Sequence, residues 1–229
     1  MAELECVPPT WKGRDCIVAA PGPSLTGDVV RRVRLARMAY SWKVLAVQDA
    51  YKVLPHADVM YGCCPTWWRV HKTCPGFEGE KWSTHDKEVT NNKINTDKAL
   101  GHPIADFGMR LVAGEHGDEF STDPGLIRYG SNSGFQAINL AILFGARKIV
   151  LVGYDMRCVS GKSHFFGDHP KGLHQNKDED YRRFVGRFDK ASKALPEGVH
   201  IINATPDSAL KCFPIMTLSD ALSFVGSPQ

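Results

Sequence analysis

Short apolar runs alternate with longer mixed stretches along this chain. Asp15-Cys16-Ile17-Val18-Ala19-Ala20 reads as a buried strand that stops at the turn-forming Pro21-Gly22-Pro23-Ser24. A helix is expected from Thr26 to Ala39, then a second apolar strand at Lys43–Val47. Asp49 to Leu54 suggests a helical turn closed by Pro55, and Asp58–Tyr61 a third strand. Residues 15–61 therefore alternate strand and helix, the order of a parallel sheet covered by helices.

The middle of the chain is more polar. One strand is expected near Lys81–Thr84 and another near Met109–Ala113, with a polar surface excursion at about 85–106. The pattern sharpens at Gly130-Ser131-Asn132-Ser133-Gly134, which opens the run Phe135–Phe144. That run is apolar on nearly every face, as a helix enclosed by other elements is. Ser131 or Asn132 can cap its start, and Gly145 stands where a left-handed stop belongs. Ile149-Val150-Leu151-Val152-Gly153 is then a central strand ending at Tyr154-Asp155, followed by a Gly/His-rich loop over 156–177. An amphipathic helix at Asp178–Leu195, a strand at Val199–Asn203 and a helix at Thr217–Val225 complete the chain. The expectation is a Rossmann-like, doubly wound α/β fold, a mostly parallel sheet with helices on both faces, built as a single domain over 1–229.

Composition supports a folded chain: 229 residues are 43% hydrophobic, with five Trp, eleven Phe and six Tyr. No run approaches the roughly 18 apolar residues of a membrane span, and Met1-Ala2-Glu3-Leu4-Glu5 lacks the marks of a secretory leader. A cytoplasmic protein with no membrane partner is therefore expected. A net charge of +3 is too small for a nucleic-acid coat protein. Arg31, Arg32, Arg34 and Arg37 cluster on one predicted helix, and Arg182, Arg183, Arg187 and Lys190 on another. These read first as solvated faces and second as contacts for a polyanion. The seven Cys include the adjacent Cys63-Cys64 but no C-x-x-C pair. Reduced thiols are expected, and no metal site.

In open α/β sheets ligands gather at the C-terminal ends of strands. Four such ends carry unusual residues: Pro21-Gly22-Pro23-Ser24-Leu25, Gln48-Asp49, Gly62-Cys63-Cys64-Pro65 and Tyr154-Asp155. The first loop brings backbone amides and a hydroxyl within reach of a phosphate, because Gly22 permits close approach. It is neither a Walker A loop nor a G-x-G-x-x-G fingerprint. Gly130–Gly134 reads either as a helix cap or as a phosphate or ribose contact. In Ser163-His164-Phe165-Phe166-Gly167-Asp168-His169-Pro170, two His beside an Asp suit a general base near neutral pH. The same residues also fit a mononuclear metal site or idle surface histidines. His56, His71, His85, His102, His116, His174 and His200 have no comparable surroundings in the sequence.

These blocks, in this order, resemble the bacterial sialyltransferases of the Campylobacter type and the MptE-like 6-hydroxymethylpterin diphosphokinase family. The similar segments are the first strand with its Gly22-Pro23-Ser24-Leu25 turn, Ser133-Gly134 with its helix and the strand to Tyr154-Asp155, Ser163–His169, and Asn203–Leu210. The resemblance implies that Gly22, Pro23 and Ser24 lie beside nucleotide phosphates and that Ser133 and Gly134 touch the nucleotide; Ser131 and Asn132 join them as candidate nucleotide contacts through the reading of the 130–134 loop. It implies Tyr154 and Asp155 at the reacting centre and His169 as general base, with His164 as competitor. The family's Asn residues after the second and third strands correspond here to Gln48 or Asp49 and to Cys63 or Cys64, so recognition of cytidine is not implied.

A nucleotide-dependent transferase is thus expected, a glycosyltransferase first, moving a sugar from a nucleotide-linked donor to an acceptor hydroxyl without a required cofactor. Relatives of this small type occur in phages, some of which decorate DNA bases, so a nucleic-acid acceptor in a host cytoplasm is the associated expectation. The alternatives are an ATP-dependent pyrophosphokinase, with Mg²⁺ held by Asp155 and Asp168, and a nucleotide-binding module without catalysis.

Overall fold

The computed structural model describes residues 4–86 and 108–224. Eight strands form one sheet: β1 Cys16–Ala19, β2 Lys43–Val47, β3 Val59–Tyr61, β4 Glu80–Asp86, β5 Met109–Glu115, β6 Leu126–Arg128, β7 Lys148–Val152 and β8 His200–Asn203. Their order is β6-β5-β4-β3-β2-β1-β7-β8, and every adjacent pair is parallel. The helices are α1 Gly27–Tyr40, α2 Pro65–Val70, α3 Ser133–Leu143, α4 Asp178–Ala191 and α5 Leu218–Ser223, with 3-10 turns at Gln48–Lys52 and Ser192–Ala194. The Rossmann-like α/β class expected from the strand–helix alternation is the observed one.

Both faces of the sheet are covered, because its central strands are apolar on alternate sides. Cys16 and Val18 of β1, with Ile149 and Leu151 of β7, join one core with Phe135 of α3 and Phe188 of α4. Ile17, Ala19, Val150 and Val152 join the other, with Val33 of α1, Trp67 of α2 and Leu218 of α5. All eleven residues of α3 are buried, which explains the absence of a polar face in its sequence. Its Asn139 is wholly buried yet satisfied: the side-chain oxygen accepts from the Ser121 and Arg128 amides, and the side-chain nitrogen donates to the Ser121 carbonyl. One side chain thereby fixes the approach to β6 and the edge strand itself.

Two elements escaped the sequence pattern. Helix α2 is a single six-residue stretch led by Pro65, too short for a periodicity. Strand β6 is three residues long and depends on β5 and Asn139. The segment before β1 bridges Leu4 to Leu111 and buries Val7 and Trp11, the latter stacked on Phe144 at 4.4 Å. The expected excursion at 85–106 begins inside β4, and the rest lies outside the described residues. Val225, the expected end of the last helix, lies outside them too. The basic clusters behave largely as solvated helix faces: Arg31 and Arg32 pair with Asp28, Arg37 with Asp58, Arg183 with Asp180, and Arg187 and Lys190 with Asp118. All seven Cys are free thiols, and no described helix is long and apolar enough to cross a membrane.

Candidate functional site

The chain leaves β1 toward β2 on one side, while β7 enters on the other, so the strand order reverses between β1 and β7. Loops diverge at such a switch point and open a crevice beyond the strand ends. A cleft of ≈ 280 Å³ lies there, lined by Pro21 and Gly22 after β1, Gln48 after β2, Cys63 and Cys64 after β3, Ser131–Gly134 at the start of α3, and Gly153 and Asp155 after β7.

The two loops flanking the switch point are joined to each other. The Ser24 amide (3.2 Å) and hydroxyl (2.7 Å) both donate to Asp155 Oδ2, and the Gly22 amide donates to the Gly153 carbonyl at 3.1 Å. A Cβ on Gly22 would lie 2.2 Å from both Asp155 Oδ2 and the Gly153 carbonyl oxygen. Glycine is required at that position by this approach of backbone to backbone. Burial raises the Asp155 carboxyl above its ordinary range, with the Ser24 donors opposing.

The opposite wall is the N-terminus of α3. Asn132 caps it, its side-chain oxygen accepting from the Phe135 amide at 2.8 Å. Ser133 turns toward the third strand end, where its hydroxyl lies 3.0 Å from Cys63 Sγ. First-turn amides have no acceptor within their own helix, and together with the helix dipole they favour an anion. Three lining residues, Gln48, Ser131 and Met156, have left-handed backbone at φ 45°, 66° and 51°. Such conformations are uncommon for residues with side chains and concentrate at ligand sites.

Behind the cleft sits a buried charged cluster. Asp49 is 0% exposed; its Oδ1 lies 2.5 Å from Lys52 Nζ and 3.5 Å from His71 Nε2. Its Oδ2 accepts the Trp67 indole N–H at 2.7 Å and lies 3.7 Å from His169 Nδ1. Burial pushes the carboxyl up, but Lys52, Trp67 and His71 outweigh it and hold Asp49 below its ordinary range. The Nδ1 of His169 and the Nε2 of His71 are buried without a hydrogen-bond partner among the described residues. His169 lines the cleft, as does His164, whose ring centre is 4.3 Å away. Burial lowers the His169 imidazole, Asp49 opposing, and lowers His164 to about 4. Both rings are therefore neutral near pH 7, the form that accepts a proton.

Of the residues singled out from sequence, Gly22, Gln48, Cys64, Ser131, Asn132, Ser133, Gly134, Asp155, His164 and His169 line this one cleft. Four do not. Pro23 is outside it, and Ser24 has both its amide and its hydroxyl on Asp155. Tyr154 is fully buried beneath α3, donating its hydroxyl to the Gly134 carbonyl at 3.0 Å. Asp49 lies behind His169 rather than in the cleft. Asp168, expected beside the histidine, is exposed and also off the cleft wall. The carboxylate nearest His169 comes from the end of β2, far away in the chain. Also unforeseen were His71, in the Asp49 cluster, and a third wall made by Arg157, His174 and Tyr181, joined by Arg183, whose basic cluster reads second, in the sequence, as a contact for a polyanion. Arginines at a strand end and on a helix face give no sequence signal distinguishing them from solvated charge.

Topology and cleft together define a doubly wound α/β domain with its crevice at the switch point. Among solved structures, the chain is similar to the MAf glycosyltransferase from Magnetospirillum magneticum AMB-1, with a TM-score of 0.55 at 11% identity. The match covers 98% of this chain and 36% of that one, so the chain spans about a third of the length of that enzyme and shares its fold over that part. No protein-family model matches the sequence, and neither does any curated protein.

Proposed function

We propose that the protein is a glycosyltransferase that moves a sugar from a nucleotide-activated donor to an acceptor hydroxyl. The observation that carries this reading is the meeting, in one cleft, of a helix N-terminus, a glycine-bearing strand-end loop and a neutral imidazole. The donor's phosphate lies against the first-turn amides of α3, with Arg157 supplying positive charge from the third wall. His169 accepts the acceptor's hydroxyl proton as that oxygen bonds to the anomeric carbon. The bond from that carbon to the donor's phosphate oxygen breaks, and the nucleotide leaves as the phosphate anion. The imidazolium then returns its proton to water. A base positioned in this way contributes about 10²–10⁴-fold. The glycosyltransferase likeness of the fold agrees with this reading.

Calorimetric titration with CMP, UMP, GMP and ATP, each with and without Mg²⁺, tests it. Metal-independent binding of a nucleoside monophosphate, followed by hydrolysis or transfer from the matching nucleotide sugar, is the expected result. Binding of ATP alone, and only with Mg²⁺, would instead indicate pyrophosphoryl transfer and overturn the proposal.

A further inference from the structure

The Asp49 cluster has a structure that a mere core ion pair does not require. A buried carboxylate that only balanced Lys52 would need no histidine near it. Asp49 instead faces two imidazoles, one on each oxygen, and each presents a buried nitrogen without a hydrogen-bond partner among the described residues. Buried polar nitrogens are rarely left unpaired. At 3.7 Å, His169 Nδ1 is within one small side-chain movement of Asp49 Oδ2. Hydrogen bonds of this kind are often long in unliganded proteins and tighten when substrate binds.

We infer that Asp49 is the positioning residue of His169: its Oδ2 accepts the Nδ1–H, which fixes the tautomer and leaves Nε2 as the proton acceptor toward the cleft. The indole of Trp67 holds the same oxygen at 2.7 Å, so the carboxylate cannot turn away from the ring. Lys52, on the other oxygen, keeps the carboxylate ionised. When Nε2 gains a proton, the imidazolium faces a carboxylate across a short, dry gap, where a charge interaction is strong. The charged or titratable groups around His169 are Asp49 and Lys52 from the turn after β2, His71 at the end of α2, and His164, Asp168 and His174 from its own loop. Of these, Asp49 has a carboxylate oxygen 3.7 Å from Nδ1, buried with it. This assigns Asp49 a role different from the nucleotide contact implied by resemblance. The catalytic part rests on the glycosyl-transfer reading, whereas the pairing does not.

The experiment reads the two separately. Long-range ¹H–¹⁵N spectra of histidine-labelled protein report the tautomer and titration of His169, assigned with His169→Gln. The wild type is expected to show the Nδ1–H tautomer. Asp49→Asn, nearly isosteric, should lose that preference and lower the titration midpoint. Trp67→Phe removes the indole donor, leaves more of the carboxylate's charge for the ring, and should raise the midpoint. In assays, Asp49→Asn should lower kcat roughly 10²-fold with donor Kd changed only a few-fold. An unchanged tautomer and midpoint in Asp49→Asn overturns the pairing, as does a loss in donor Kd as large as the loss in kcat. If Asp49→Asn does not fold, Trp67→Phe decides, and an unmoved midpoint there overturns it. A shifted tautomer in a protein that transfers no sugar sustains the pairing and overturns the transfer reading instead.

Discussion

The Asp155 carboxylate accepts both the amide and the hydroxyl of Ser24, across 131 positions of chain. The loops on the two sides of the switch point are therefore one piece, and the cleft floor is set before any ligand arrives. Hydroxyl and carboxylate face each other here, whereas a phosphate-binding serine would direct its hydroxyl to the ligand. Ser24 thus shapes the site through Asp155.

Removing that link should loosen the floor. Asp155→Ala leaves the half-buried Ser24 amide and hydroxyl without their acceptor and is expected to cost about 1–3 kcal/mol in denaturant unfolding. Asp155→Asn keeps an oxygen in place and should stay within about 1 kcal/mol of wild type. The pH dependence has a definite sign. Burial raises this carboxyl in the folded state, so its contribution is fully present at acid pH, below the unfolded value, and declines as pH rises through the folded one. Asp155→Asn should abolish that component.

The close approach at Gly22 gives a second test. An added Cβ meets two oxygens at 2.2 Å: the Gly153 carbonyl, which is backbone and cannot swing away, and the Asp155 carboxylate, which Ser24 holds in place. Gly22→Ala is expected to destabilise by about 1–3 kcal/mol or more and to widen the cleft, weakening nucleotide binding in the same protein. By contrast Gly186→Ala, on α4 with open space around its Cβ, should be neutral or slightly stabilising. Paired unfolding curves separate the two, and equal effects would show that Gly22 is not tightly enclosed.

The alternation of β1, α1 and β2 was legible because each strand alternates between two cores, and α3 was legible because it is buried all round. The cleft-lining glycine and serine loops were legible for a related reason, since strand ends are where backbone must approach a ligand. What was not legible depends on contacts distant in sequence. Nothing around Asp49 in the chain announces that it will sit under His169. His71 has no notable neighbours in sequence and acquires them only when α2 folds over the end of β2. Tyr154 carries a polar group at a strand end, yet packing turns it beneath α3 rather than into the cleft.

His164 makes stability depend on pH. Burial lowers its imidazole from 6.5 to about 4, so below 6.5 the unfolded chain takes up a proton that the folded chain refuses. Its contribution is complete above about pH 6.5 and is lost as pH falls toward 4. From pH 7 to pH 5 this one group should cost about 2 kcal/mol. His71 and His169 are lowered in the same sense and steepen the fall. His164→Gln is expected to flatten the acid limb of a urea-stability profile relative to wild type. An unchanged slope would mean that the ring is reached by water when the protein is folded.

Replacement of His169 is the most direct test of the chemistry. Its ring lines the cleft, is neutral near pH 7 and has a carboxylate behind Nδ1. His164 also lines the cleft, but its Nδ1 is 3.0 Å from the Ser163 hydroxyl and its titration is depressed further. A base so depressed binds a proton too weakly to assist much near neutrality. His169→Ala should therefore lower turnover by about 10²–10⁴-fold while leaving nucleotide affinity within a few-fold. His164→Ala should retain most turnover at pH 7. Single-turnover rates with the nucleotide sugar, set beside calorimetric affinities, give both quantities. If His164→Ala loses turnover while His169→Ala keeps it, the proton goes to His164, whereas a loss in neither variant removes general-base catalysis by this loop altogether.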